Sequence, residues 1–382
     1  MMKTVPMLFL VMALALVPAP PSAGAEDSLP MLKVGHVGHD HQLALYVAAD
    51  AGRSLEKDYG VYLEPLKDQE VYDLWDGGRR VARLNMIRVG GGSKMPAALE
   101  QGHIEVGLGG LGPTVKFVDK GSPLKVLAPL NNDGDMLVVR KDFPAGNWKD
   151  FVVAVRASER PVRIGYKDPL SVAYLILVRA LEAEGLTYGP DMVDSQGAVV
   201  NVVTVNLQGL DNSLPSMEGG IVDGVVVNEP TGSLLVYKGV GKAIADLSSL
   251  PPEGKWEGHP CCIVAARTDV IKEKRPIVVS LLKVIAAGGD LIAREPSRAL
   301  AAEGRWTKTS PEVGKMSIPN VSYVIRPDAV WVSHVDTWVG LMGSAGQFQK
   351  VLKGMSDAEV RDTVLDLGPM NEALSGMKLL GK

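Results

Sequence analysis

The chain has 382 residues, enough for two lobes of ordinary domain size. Hydrophobic residues make up 46% and charged residues 22%, which excludes a disordered or fibrous chain. A net charge of −4 supplies no general basic field, so nucleic acid is excluded as a partner.

The first element in chain order is an export signal. Lys3 is the only charge before Glu26, residues 5–17 form an unbroken apolar or small run, and Ala23-Gly24-Ala25 follows a Pro-rich stretch. A basic start, an apolar segment of about 7–15 residues and a small-residue site describe a cleavable signal peptide, cut after Ala25. A membrane anchor needs about 20 apolar residues. The mature chain is therefore expected to be free in the periplasm, with no later segment long and apolar enough to span a bilayer.

Strands and helices then alternate. Strands are read at 32–37, 88–89, 104–108, 124–130 and 136–140, and helices at 42–52, 96–101 and 114–120. This alternation predicts α/β units with a mainly parallel sheet. The order repeats from residue 162. Val162-Arg163-Ile164-Gly165-Tyr166 stands where Lys33-Val34-Gly35-His36 stood, and Gly220-Ile221-Val222-Asp223 reproduces Gly102-His103-Ile104-Glu105. Val225 to Pro230 parallels Leu108 to Pro113, and the strand 136–140 is echoed at 262–267. Beyond Arg267 the pattern is helical at 276–293, 297–303, 328–340 and 357–367. The expected division is a signal peptide over 1–25, a first lobe over 26–136 and a second lobe over 137–262. A return crossover with C-terminal helices, over 263–382, packs back on the first lobe.

Cys261 and Cys262 are the only cysteines. Neighbouring Cα atoms are about 3.8 Å apart, below the usual disulfide range of about 4.4–6.8 Å, so the pair reads as small residues on a buried strand.

With Gly35-His36-Val37-Gly38-His39-Asp40-His41, Gly90-Gly91-Gly92-Ser93, the Gly-x-Ile-Glu turn at 102–105, Gly109 to Pro113 and Asn228-Glu229-Pro230, the chain resembles the periplasmic solute-binding proteins of nitrate/sulfonate/taurine-type ABC importers. The resemblance covers roughly residues 31–380. It implies a two-lobed type II periplasmic binding fold with two crossovers as hinge, near 137–140 and 263–267. It further implies a monomer that delivers a small solute to membrane permease subunits served by a cytoplasmic ATPase.

In such sheets ligands bind beyond the carboxyl ends of the strands, where helix N-termini converge. The loops that reach this place carry His36, His39, Asp40, His41, Ser93, Lys94, Gly110 and Leu111 in the first half. Asp168, Ser171, Asn212, Asn228 and Glu229 hold the matching places in the second. Ser, Asp and Asn start helices, and the unpaired N–H groups there favour a small anion. Lys94 is the one cation read near the site; Asp168, Asp211 and Glu229 suit a donor group, and Glu229 equally suits support of its own loop. With five Phe in the chain, a small sulfonate, carboxylate, oxyanion or compact heterocycle is favoured over a large aromatic ligand.

His36, His39 and His41 also raise a metal receptor as an alternative. A signalling sensor on the same fold is another. A third is an enzyme like the yeast-type pyrimidine synthase of thiamine biosynthesis, which has a Cys-rich iron-binding run where this chain has two cysteines. No Gly-x-Ser-x-Gly elbow, His-Glu-x-x-His helix or phosphate loop occurs, so the reading is a binder without catalytic residues, resident metal or cofactor.

Overall fold

The computed structural model describes residues 29–379, so the expected signal peptide and its cleavage site lie outside the described residues. In chain order the strands are β1 (Met31–His36), β2 (Val61–Lys67), β3 (Val71–Asp76), β4 (Arg79–Arg88), β5 (Val106–Gly110) and β6 (Leu124–Asp133). There follow β7 (Asp135–Arg140), β8 (Val162–Tyr166), β9 (Tyr188–Gly189), β10 (Val202–Asn206), β11 (Gly224–Asn228) and β12 (Gly241–Asp246). The last two are β13 (Pro260–Arg267) and β14 (Val321–Tyr323).

Two sheets form. One has the order β14-β6-β13-β5-β1-β4-β3-β2 and the other β12-β7-β11-β8-β10-β9. The repeat read in the sequence is visible as matching strand neighbours. β1 lies parallel between β4 and β5, as β8 lies parallel between β10 and β11. Beside each parallel core runs one antiparallel strand that arrives from the other lobe, β13 beside β5 and β7 beside β11. The first sheet is thus parallel only at its centre and antiparallel towards both edges.

The crossovers lie earlier than the sequence suggested. Residues 137–140 sit wholly within the second sheet, paired with β11, and 263–267 sit within the first, between β5 and β6. The chain changes sheet at Gly134, between β6 and β7, and again over 247–259, between β12 and β13.

The repeated Gly-x-Ile/Val-Glu/Asp turn has a physical reason. Its acidic side chain accepts the backbone N–H at the start of the neighbouring parallel strand, Glu105 from Lys33 at 2.9 Å and Asp223 from Arg163 at 2.8 Å. Each carboxylate also meets a cation: Lys274 at 2.6 Å for Glu105, and Arg160 through two hydrogen bonds of 2.8 and 2.9 Å for Asp223. Burial pushes the Asp223 carboxyl up, but the hydrogen bonds from Arg160 and the Arg163 amide outweigh it and hold it below the ordinary range. A lowered folded value means stability that is complete above the unfolded value of about 3.9 and lost as pH falls through the folded one. Asp223→Ala is expected to cost about 2–3 kcal/mol near neutral pH, the arginines being half exposed and screened. Denaturant titrations of both proteins should converge as the pH falls below about 4; an equal gap at all pH values would contradict the assignment.

Two further features were not read from the sequence. Residues 61–88 form an antiparallel meander, β2-β3-β4, turned at Gly77-Gly78 by a two-residue loop. The helix Arg275–Arg294 has 20 residues and is, contrary to expectation, long and apolar enough to cross a membrane by length and composition. Here it is a core helix, its apolar residues buried against the helix Leu43–Ala51 and the C-terminal helices.

Candidate functional site

Between the lobes lies a cleft of about 1150 Å³. Its two sides are built by the same device. After β4 the chain turns through Gly91 into a short 3₁₀ turn, Gly92–Lys94, and the helix Met95–Glu100. After β10 it turns through Gly209 into Leu210–Asn212 and the helix Ser213–Glu218. Gly91 has φ +146° and Gly209 φ +152°, a region that only glycine enters at little cost. Both turns line the cleft.

The structure sorts the candidate residues. His39, Ser93, Lys94, Asp168 and Asn212 line the cleft. His36, Asp40, His41, Gly110, Leu111, Ser171, Asn228 and Glu229 do not. His36 points into the core, its Nδ1 3.1 Å from the Tyr46 hydroxyl and its ring edge-on to Trp306. That hydroxyl also takes the Gly38 amide at 2.9 Å and donates to Gln42 at 2.9 Å, so His36 helps to hold the loop rather than reach the cleft. Gly110 is the N-cap of the helix Leu111–Lys120, and Leu111 is buried. Ser171 caps the helix Val172–Ala183.

Glu229 accepts from the Ser233 amide and hydroxyl and, at 2.6 Å, from Asn320, a residue of the C-terminal region. Its carboxylate therefore ties the second lobe to the chain beside β14. Asn228 accepts from Lys167 and points its amide nitrogen at Cys261 Sγ, 3.9 Å away. The Asp168 carboxylate is engaged by the Leu170 amide at 2.8 Å.

The cleft is more cationic than the sequence suggested. Lys94 is joined by Arg88, Lys167, Lys238 and Lys308, against the carboxylates of Asp168 and Asp211. None of the five cations forms an ion pair among the described residues. Arg88 is the last residue of β4 and Lys167 follows β8 directly, so both occupy strand ends that the topology aims at the cleft. Lys308 belongs to a segment, 307–310, that closes one side between the helices Pro296–Thr307 and Pro311–Ser317. Ser310-Pro311, an N-cap followed by proline at the first helical position, was the sequence signal for that second helix.

His39 adds no charge. Burial, then the neighbouring His41 and Lys167, hold it well below the usual imidazole range, and burial with Arg88 lowers His36 to about 4. The His39 Nδ1 accepts the His41 amide at 3.2 Å, so the neutral ring carries its proton on Nε2. The cleft thus brings together five cations, two carboxylates and one neutral imidazole.

The three imidazoles do not converge. Among the described residues, the group able to hold a metal is His41 with Cys261 and Cys262, all three buried, their donor atoms within 4.8 Å of one another. The Cys262 thiol is held below the usual range by the hydrogen bond from Cys261 and by His41, with burial opposing both. Burial pushes the neighbouring Asp40 carboxyl well up.

Comparison with solved structures identifies the fold as that of periplasmic binding proteins. The periplasmic nitrate-binding protein NrtA of Synechocystis PCC 6803 superposes with a TM-score of 0.68 at 15% identity, over 91% of this chain and 88% of that one. The ligand-binding component of an ABC-type import system from Staphylococcus aureus, solved with zinc bound, gives 0.66 at 15% identity, over 90% and 99%. The alkanesulfonate-binding protein SsuA from Xanthomonas axonopodis pv. citri, bound to MOPS, gives 0.61 at 16% identity, over 85% and 96%. In sequence, an uncharacterized protein of Methanocaldococcus jannaschii, MJ1180, is 31% identical over 118 residues, 31% of this chain and 81% of that protein. Residues 29–304 match the NMT1-like family along nearly the whole of both sheets, and the chain belongs to that family.

Proposed function

We propose that the protein is the periplasmic solute-binding component of an ABC importer and that its solute is a small anion. The observation that carries this reading is the set of five cations, without ion-pair partners among the described residues, in one interlobe cleft facing two carboxylates. Arg88 and Lys94 belong to the first lobe, Lys167 and Lys238 to the second. A solute touching both sets makes its full contacts only when the lobes approach, and this differential affinity drives closure. In this reading the lobes hinge at Gly134 and over 247–259, where the chain changes sheet. The closed form is then delivered as a monomer to permease subunits with their ATPase. In this reading the cleft binds and releases without catalysis, since it offers donors and cations but no nucleophile paired with a base.

A thermal-shift panel of oxyanions, alkanesulfonates, dicarboxylates, phosphonates, pyrimidines and cationic amines tests the reading. An anion at about 100 times its Kd is expected to stabilise the fold by about 2.7 kcal/mol. The effect should weaken with added salt, as for partly exposed charges. Stabilisation by neutral or cationic solutes alone would overturn the proposal.

A further inference from the structure

The cysteine pair lies outside the cleft and solute capture makes no use of it. Adjacent residues of a regular strand point to opposite faces. Cys261 and Cys262 do not: β13 changes register against β6 on both sides of Cys262, and this irregularity turns both sulfurs to one ring. His41 Nδ1 lies 3.3 Å from Cys261 Sγ and 3.9 Å from Cys262 Sγ. The opposite ring nitrogen, Nε2, is 3.3 Å from the Gly134 carbonyl, to which it donates, so Nδ1 is the atom directed at the sulfurs.

A tetrahedral zinc ion with Zn–S of about 2.3 Å and Zn–N of about 2.0–2.1 Å needs N···S spacings of about 3.6 Å. The two observed distances bracket that value. A second observation points the same way. The Gly134 carbonyl that accepts from Nε2 is the kind of outer partner that orients a metal-bound histidine, and the fully buried Asp40 carboxyl lies 4.0 Å from the same nitrogen.

We propose that His41 Nδ1, Cys261 Sγ and Cys262 Sγ form a binding site for a thiophilic divalent cation of the Zn²⁺ type. Two thiolates neutralise the ion, which suits a site without solvent. The ligands come from the start of the first lobe's first helix and from the returning strand β13. Gly134 of one crossover and Asn228 of the second lobe lie directly against them. The site is therefore at the junction of the lobes, apart from the solute cleft.

The test uses the full chain with both thiols reduced and counted as free. Titration with Co²⁺ is expected to give thiolate-to-metal charge-transfer absorption that saturates at one equivalent and is abolished by Zn²⁺. Cys261→Ser and Cys262→Ser should each lower Zn²⁺ affinity by more than the about 10–100-fold that loss of an outer partner costs. Absence of the charge-transfer band in the reduced wild-type chain would overturn the proposal, whatever the variants do. Equal Zn²⁺ affinity in wild type and in the double serine variant would also overturn it.

Discussion

Replacing Arg88 and Lys167 together by glutamine is expected to weaken binding of the anionic solute at least about 100-fold. Hydrogen bonds to charged groups contribute about 1.5–3 kcal/mol each, and about 1.4 kcal/mol is a factor of ten. The two residues approach from different lobes, Arg88 at the end of β4 and Lys167 after β8. In the proposed closure, removing both withdraws contacts made together only when the lobes approach. Each single variant should lose about tenfold or more on the same arithmetic. Lys353→Gln, exposed and away from the cleft, serves as the control with unchanged affinity. Isothermal titration with the best anion of the panel compares the four variants with the wild type. Unaltered affinity in the double variant would remove the cations from the site and the anion from the functional reading.

The second large effect concerns the core. Gly288→Ala is expected to destabilise the protein by about 3 kcal/mol or more, although alanine favours a helix by about 1 kcal/mol over glycine. A Cβ at residue 288 would stand 1.8 Å from the Ala44 carbonyl oxygen and 3.0 Å from the Ala48 Cβ. The obstacle is backbone, so the helices Leu43–Ala51 and Arg275–Arg294 would have to part. Gly289→Ala meets the Ile325 Cγ2 at 2.1 Å, the end of a side chain that can rotate, and should cost less. Urea denaturation of the two variants separates these cases. Equal stability of Gly288→Ala and wild type would mean that the two helices do not pack this closely.

Local patterns were legible in the sequence. The paired turns at 102–105 and 220–223 announced the duplication because the acidic residue acts within one strand pair, Glu105 on Lys33 and Asp223 on Arg163. The crossovers were placed a few residues late because sheet membership depends on a distant partner. Residues 136–140 read as a strand in either lobe, and only pairing with β11 decides. The meander β2-β3-β4 carries ordinary hairpin signals, Gly77-Gly78 and the alternation of apolar Ala82, Leu84 and Met86.

At the site, the glycine turns were legible and the cations were not. Arg88 and Lys167 belong to no motif, and their place in the cleft follows from standing at strand ends. The histidine run was visible but not its geometry. His36 turns inward to Tyr46, His39 faces the cleft, and His41 meets two cysteines 220 and 221 positions away.

The exchange of β7 and β13 between the sheets makes the two sheets complete at different points along the chain. All six strands of the second sheet lie in one uninterrupted stretch, from Asp135 to Asp246, whereas the first sheet needs β13 and β14 from beyond it. As the polypeptide is delivered from its N-terminus, the lobe that starts later can be finished sooner. Until residues 260–267 arrive, β5 keeps a bare hydrogen-bonding edge, which is where a nascent chain is most exposed to mispairing with a neighbour.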